Sequence, residues 1–147
     1  MNIVEFLEEH DACEPGIDWV KAQSDQSIET LWKTCDDGSW MIWFHEACGT
    51  DFNTLAPVVY RAVNRALRHA EKALDDAGID HNLAGVTVTD QESAASAASA
   101  ARAARAARAA SAAVSAARAV EAASAAELKQ IADDCRELLP VPKMEVA

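Results

Sequence analysis

One stretch, residues 93–126, restricts the fold of this chain more than any other. It consists of Ser-Ala-Ala and Arg-Ala-Ala triplets, followed by alanine with single Ser, Arg, Val and Glu residues. Alanine has the highest helix propensity of the amino acids, so the stretch is predicted to be helical. An unbroken helix over 89–139 would be about 75 Å long at 1.5 Å per residue. It must therefore either project from a compact body or fold back as a hairpin.

The polar residues of this stretch recur every three positions, whereas an α-helix turns once in about 3.6 residues. The polar stripe therefore moves around the helix axis, and no apolar face persists along it. We interpret the stretch as a spacer, an arm or an oligomerisation element. It contains four arginines: Arg102, Arg105, Arg108 and Arg118. Because no aromatic residue lies between them, we interpret them as solubilising rather than as a phosphate-contacting ridge.

Negative charge is concentrated at the start of the chain. The chain has 147 residues and a net charge of −11, and its residues 1–60 hold 12 acidic and 2 basic side chains. Nucleic-acid binding requires clustered Lys and Arg, so this distribution argues against direct contact with nucleic acid and favours a basic protein surface as partner. The sequence shows no signal peptide and no long run of large apolar residues, so we expect a cytoplasmic protein without membrane contact.

The residues before the alanine-rich stretch carry the apolar periodicity of several helices. This periodicity predicts helices over 3–10, 17–23, 27–35, 40–48 and 51–77. The window 40–48 is apolar on nearly all sides and is predicted to be the central buried helix, with Trp40 and Trp43 in the core. Pro15-Gly16 is expected to break the chain. Ser27 and Ser39 are expected to cap the helices that follow them, Ser39 after a turn over 36–38, and Gly49 is expected to end the helix over 40–48. Thr89 and Glu92 form a capping-box pattern.

These patterns predict an all-α fold, with a small acidic N-terminal helical bundle followed by a long Ala-rich helix or helical hairpin. The predicted divisions are an acidic, Trp-containing bundle over 1–78, a connector over 79–92, an Ala-rich element over 93–139 whose end packs on the bundle, and a tail over 140–147.

Several short motifs are structural rather than catalytic in character. They are DACE at 11–14, IDWV at 17–20, TLWKTC at 30–35, WMIW at 40–43, GTD at 49–51, IADDCR at 131–136 and PVP at 140–142. With the alanine-rich tract between them, they resemble the Imm-5-like immunity proteins of bacteria and phages. The resemblance implies a protein that acts by binding another protein.

Two alternatives with chemical activity rest on histidine and cysteine. His10 with Cys13, and His45 with Cys48, repeat one spacing that could form a Cys₂His₂ zinc site, but this spacing does not match known zinc motifs. The simpler interpretation places each His at a polar edge and each Cys inward. Cys35 with His45 could form a thiol nucleophile, but no orienting residue is identifiable. We therefore predict no metal, no cofactor and no enzymatic activity.

The leading hypothesis is a non-enzymatic inhibitor or immunity-type protein. It is expected to be a phage or mobile-element counter-defence protein, anti-CRISPR-like, that blocks a nucleic-acid-binding effector in the host cytoplasm. The predicted partner-binding residues are Glu8, Glu9, Asp11, Glu14, Asp18, Trp19, Asp36 and Asp37. One alternative is a structural protein that forms a homodimer or larger oligomer through the Ala-rich helix, and another is an immunity protein that neutralises a bacterial toxin.

Overall fold

The computed structural model describes residues 2–76, 78, 80–90, 92–93 and 116–144, without the side chains of 116–124. These residues form helices and no strand, which confirms the predicted all-α class. The helices are α1 (Ile3–Glu9), α2 (Glu14–Lys21), α3 (Ile28–Thr34), α4 (Gly38–Ala47), α5 (Phe52–Asp76) and α6 (Ala116–Leu138). Residues 94–115 lie outside the described residues, and so do the predictions of a projecting helix, a hairpin or an oligomerisation element that rest on them. None of the described helices has the length and apolar character required to cross a bilayer.

The chain divides into two compact units. Unit 1 comprises residues 1–55 and 126–147, and unit 2 comprises residues 56–125. Unit 1 therefore contains α1–α4 together with the C-terminal part of α6. All four tryptophans of the chain belong to unit 1.

The core of unit 1 lies among α1, α2 and α3. Ile3, Phe6 and Leu7 of α1 pack with Val20 of α2 and Leu31 of α3. The α1 residues are three and four positions apart, so they lie on one helix face, as their spacing predicts. The glutamates of α1 lie on the opposite face and are exposed.

The last turns of α6 belong to the same unit. Ala132 and Cys135 are fully buried there. The guanidinium of Arg136 donates hydrogen bonds to the carbonyl oxygens of Trp32, at 3.1 Å, and of Cys35, at 2.7 Å. These carbonyls lie at the end of α3, where a helix leaves its last acceptors without internal partners. Arg136 therefore supplies hydrogen-bond donors to the free carbonyls at the end of α3, although it lies about one hundred residues later in the chain.

Two predicted helix starts are wrong by a few residues. The helix α2 begins at Glu14, so Pro15 and Gly16 lie in its first turn and do not break the chain. A proline is tolerated there because the first turn of a helix does not use its N–H groups. The helix α4 is capped by Asp37 rather than by Ser39, since the Asp37 carboxylate accepts from the N–H groups of Ser39 at 2.9 Å and Trp40 at 3.2 Å.

The prediction that α4 is the central buried helix is also incorrect in part. Its buried side chains are Met41 and His45, whereas Trp40, Trp43 and Phe44 are half-buried. The helix ends in a Schellman motif, in which Gly49 adopts a φ of 80° and the N–H of Thr50 donates to the carbonyl of His45 at 3.0 Å. Gly49 thus ends α4, as predicted.

Unit 2 contains α5 from residue 56 onward, the segment 80–90 and the first part of α6. Leu67 and Leu74 of α5 pack with Leu83 and Val88 of the segment. The side-chain amide of Asn64 accepts from the N–H of Val88 at 2.7 Å and donates to its carbonyl at 3.0 Å. These two hydrogen bonds satisfy the backbone N–H and carbonyl of Val88. Val88 lies in a segment with strand-like sequence, and that segment has no strand partner among the described residues.

The helical residues 92–93 that follow this segment are capped one residue later than predicted. The Asp90 carboxylate accepts from the N–H of Ser93 at 2.7 Å, and the Ser93 hydroxyl accepts from the N–H of Asp90 at 3.1 Å. Asp90 with Ser93 therefore takes the role that the sequence pattern assigns to Thr89 with Glu92.

Candidate functional site

Unit 1 contains an apolar cleft of about 410 Å³ that is lined by side chains of α1 to α4 and of the loop after α1. We call it the α1–α4 cleft. Asp11 and Ser39 are the lining residues whose side chains carry oxygen. The Ser39 hydroxyl hydrogen bonds to Asp37 at 2.5 Å. Asp11 is therefore the lining residue that contributes a charge, and its side chain is exposed.

The floor and the mouth of the cleft differ in burial. Leu7, Val20, Leu31 and Met41 line it and are buried, whereas Trp19, Trp40 and Trp43 line it and are half-buried. The indole rings of Trp19 and Trp40 lie 6.1 Å apart between centroids, tilted by 51°. Half-exposed tryptophans beside an apolar floor form the kind of surface that excludes water when a partner covers it.

The tryptophans are distributed differently from the prediction. Trp32 is the core residue, at 5% exposure, and its ring meets the imidazole of His45 edge-on at 5.0 Å between centroids. Trp40 and Trp43, which the sequence places in the core, are half-buried and line the cleft, and Trp43 also packs against the core formed by α1, α2 and α3. The apolar character of α4 on all sides thus reflects two apolar surroundings, the core of the unit and the cleft.

Most of the predicted partner-binding acids lie on the exposed surface of α1, α2 and the loop between them. Glu9, Asp11, Glu14 and Asp18 are exposed, and none of them forms an ion pair with another described residue. Glu8 is exposed as well, but its carboxylate pairs with the Lys21 ammonium at 3.0 Å. We call Glu9, Asp11, Glu14 and Asp18 the acidic rim. Asp11 and Trp19 connect the rim to the cleft, since both line it.

The other two predicted acids have structural roles. Asp37 caps α4. Asp36 forms an exposed ion pair with Lys129 of α6 at 3.0 Å. Of the predicted partner-binding residues, the structure therefore places Asp11 and Trp19 in the lining of the cleft and leaves Glu9, Glu14 and Asp18 exposed outside that lining. It places Asp36 and Asp37 at the junction of α3, α4 and α6.

The loop after α1 places Asp11 in the left-handed region of backbone space, with a φ of 57°. The N–H of Ala12 donates to the carbonyl of Leu7 at 2.9 Å, and the N–H of Asp11 reaches the carbonyl of Glu8 at 3.4 Å. This is the Schellman geometry, which favours glycine at the position of Asp11. The sequence thus keeps a carboxylate at the cleft where a glycine would fit the backbone better.

The two His–Cys pairs occupy different surroundings. His10 and Cys13 are exposed, whereas His45 is buried and Cys48 is half-buried. The His45 Nδ1 lies 2.9 Å from the Thr50 hydroxyl. Among the described residues, no three His, Cys, Asp or Glu side chains gather in a way that could hold a metal ion. The prediction that each His would lie at a polar edge is wrong for His45, which is more deeply buried than Cys48.

The buried thiols have pKa values shifted away from reactivity. Burial raises the pKa of the Cys35 thiol, and burial together with the nearby Asp134 raises the pKa of Cys135 to about 12. A thiol nucleophile requires a lowered pKa, because the thiolate is the reactive form. Burial also lowers the pKa of His45, and the backbone of Pro140 acts in the opposite direction.

The cleft itself was not predicted from the sequence. Cys13 and Gly16 line it, and nothing in their sequence surroundings distinguishes them from ordinary loop and helix residues. The available signal was the concentration of all four tryptophans of the chain within residues 19–43.

Comparison with known proteins gave no match: no family model, no curated protein and no solved structure is significantly similar to the chain.

Proposed function

We propose that this protein is a non-enzymatic inhibitor of the immunity type, which binds a basic surface of another protein through the acidic rim. The observation that carries the proposal is the rim itself, four exposed carboxylates within ten residues that form no ion pair with another described residue. Unbalanced charge of one sign steers oppositely charged partners and suppresses partners of like charge.

The preferred target is a nucleic-acid-binding effector of a host defence system, and the protein is a phage or mobile-element product that blocks it. Effectors of this kind neutralise phosphates with clustered Lys and Arg. A surface of exposed carboxylates competes with the phosphates for the same Lys and Arg side chains of the effector. A bacterial toxin with a basic active surface is the alternative target, and it requires the same rim.

The chemistry of the buried groups supports a binding role over an enzymatic one. Cys35 is buried with a raised pKa, and its Sγ lies 3.4 Å from the carbonyl oxygen of Asp37. His45 faces Trp32 and Thr50, and it is 2% exposed. These surroundings favour structural roles for both side chains.

The proposal is tested by inhibition of nucleic-acid binding. Purified protein is added to a panel of purified CRISPR effector complexes, and retention of labelled target DNA is measured as a function of salt. We expect inhibition of at least one complex, and we expect it to weaken as salt rises from 50 to 300 mM, because the rim acts through exposed charges. A rim variant (Glu9→Gln, Asp11→Asn, Glu14→Gln, Asp18→Asn) should lose about tenfold or more in potency.

The matched control neutralises four exposed acids that are not part of the rim: Glu29→Gln, Glu46→Gln, Asp80→Asn and Glu92→Gln. It changes the net charge by the same amount and should keep the potency of the natural protein. Equal loss in both variants would assign the effect to net charge and contradict a local binding surface. If the protein inhibits none of the complexes in the panel, the counter-defence role is contradicted and the toxin is the remaining target. The same two variants then test inhibition of the toxin.

A further inference from the structure

We infer that the α1–α4 cleft is the anchor site of this interaction and receives a large apolar side chain from a basic segment of the partner protein. The inference rests on the proposed function and adds to it the kind of partner segment that is recognised. It joins the apolar floor of the cleft to Asp11, the member of the acidic rim that lines it.

The floor of the cleft fits an apolar group. Leu7, Val20, Leu31 and Met41 supply aliphatic and thioether surface, and Ser39 is engaged with Asp37. The volume of about 410 Å³ lies within the range of roughly 300–1,000 Å³ found for ligand pockets. Asp11 and Ser39 are the lining residues with side-chain oxygen, so the cleft offers few acceptors to a polar ligand. Shape and apolar contact therefore select the group that enters it.

The mouth of the cleft fits a protein segment. Trp19, Trp40 and Trp43 remain half-buried around it. Tryptophan is the residue type most enriched at interface hot spots, where a neighbouring ring of contacts excludes water. Trp19 is on the same helix as Glu14 and Asp18, so a segment that covers Trp19 passes close to carboxylates.

Charge complementarity decides the occupant. Two features meet at the cleft: its apolar floor, and the exposed carboxylate of Asp11, which lines it and forms no ion pair with another described residue. A segment that carries Lys or Arg next to its apolar anchor satisfies both surfaces. A second copy of this chain is disfavoured on the same ground, because its own residues 1–60 hold 12 acidic and 2 basic side chains.

The cleft can be blocked in two ways that add atoms to its lining: by a larger side chain at Gly16 or by alkylation of Cys13. At Gly16, an added Cβ would lie 3.4 Å from the Cys13 Sγ and 3.7 Å from the Trp40 ring, which is ordinary contact. A larger side chain at this position, as in Gly16→Leu, extends beyond that Cβ among residues that line the cleft, and should occupy part of it. Cys13 lines the cleft and is exposed, whereas Cys35 and Cys135 are buried and Cys48 is half-buried. Brief treatment with N-ethylmaleimide therefore modifies Cys13 first and places a bulky group at the cleft.

The experiment selects peptides from a random 16-residue phage-displayed library on the immobilised full-length protein. We expect the enriched peptides to share one or two large apolar residues flanked by Lys or Arg. Synthetic peptides of that consensus should quench or shift the tryptophan fluorescence and protect Cys13 from N-ethylmaleimide. Replacing the apolar anchor of the peptide by Ala should weaken binding about tenfold or more.

The blocked proteins supply the decisive comparison. Gly16→Leu and the Cys13-alkylated protein should each bind the selected peptide about tenfold more weakly than the untreated natural protein. Ala22→Leu, at an exposed position outside the cleft lining, should keep its affinity, and so should protein that is treated with N-ethylmaleimide while the peptide is bound and is then freed of peptide. Thermal unfolding of each variant shows whether it is folded, and the alkylation result stands independently of Gly16→Leu.

The outcomes separate this inference from the proposed function. Basic peptides that depend on the acidic rim but bind equally well to the blocked proteins would overturn the anchor site and leave the proposed function standing. Enriched peptides without basic residues, insensitive to the rim variant but lost on blocking the cleft, would contradict the acidic surface as the recognition element and with it this inference. Failure to enrich any peptide, with a fatty acid or a second copy of the chain bound in the cleft, would overturn the inference.

Discussion

His45 is a buried ionisable side chain whose neutral form is favoured by folding. It is 2% exposed, packs edge-on against Trp32 and hydrogen bonds with Thr50. Burial lowers its pKa in the folded protein, so the unfolded chain takes up a proton at a higher pH than the folded chain does. Between those two pKa values the unfolded state binds more protons, and the free energy of unfolding therefore falls as the pH falls.

We predict that the protein loses stability as the pH decreases below about 6.5, the ordinary pKa of histidine. The slope for one proton cannot exceed about 1.4 kcal/mol per pH unit. Urea unfolding followed by tryptophan fluorescence at pH 5.5, 6.5 and 7.5 measures it. His45→Gln should be less stable at every pH but should show a shallower dependence. An identical pH dependence in both proteins would contradict the assignment to His45.

Asp11 combines an unfavourable backbone conformation with a position at the cleft. Its φ of 57° lies in the region that only glycine adopts without steric cost. We predict that Asp11→Gly raises the free energy of unfolding by about 0.5–1 kcal/mol, whereas Asp11→Ala, which removes the same charge, gives no gain. Urea unfolding measures both. If the two variants have equal stability, the left-handed conformation of Asp11 is not a source of strain.

At the scale of elements, two glycines at helix starts have opposite surroundings. Gly38 is the first residue of α4, and a Cβ added there would overlap the Ile131 side chain and the backbone nitrogen of Ala132 in α6. Gly16, in the first turn of α2, has ordinary contact distances of 3.4 Å and 3.7 Å to its neighbours. The close approach at Gly38 therefore holds α4 against the end of α6.

We predict that the same substitution has opposite signs at these two positions. Gly16→Ala should be neutral or should stabilise by about 0.5 kcal/mol, because alanine is the better helix former. Gly38→Ala should destabilise by about 1–3 kcal/mol or more, because the overlapping atoms include backbone that cannot move aside. Differential urea unfolding under identical conditions measures the pair. A gain of stability at Gly38 would contradict the close packing of α4 on α6.

At the scale of the whole molecule, unit 1 depends on residues from both ends of the chain. Ala132 and Cys135 are fully buried in it, and Leu139 is 6% exposed. Arg136 supplies donors to the end of α3. Small units have little stability to lose, since whole domains are stable by only about 5–15 kcal/mol.

We predict that a chain ending after residue 125 loses the cooperative unfolding of unit 1. All four tryptophans lie in that unit, so their fluorescence reports on it alone. The truncated protein should show a tryptophan emission near that of the unfolded chain. A chain ending after Met144 is the control and should unfold like the full-length protein. A sigmoidal urea transition with an unchanged midpoint in the shorter chain would show that residues 1–55 are stable without α6.

The local sequence determined the class of secondary structure, because apolar periodicity and capping residues specify helices, and both are local features of the sequence. The spacing of Ile3, Phe6 and Leu7, the cap at Ser27 and the stop at Gly49 each depend on residues within one turn, and each was predicted correctly. The acidic character of the first 60 residues is likewise a property of composition alone.

The tertiary structure alone decided which apolar side chains are covered. Trp32 and Trp40 look alike in the sequence, and both line the cleft, yet Trp32 is buried and Trp40 is half-buried. Gly16 and Gly38 both look like breaks, yet both lie inside helices and only one is tightly packed. Burial depends on residues far apart in the chain, such as Arg136 and Trp32, and no local pattern encodes that distance. The cleft beside the acidic rim, on which the proposed function and its anchor site rest, therefore became visible only in the folded chain.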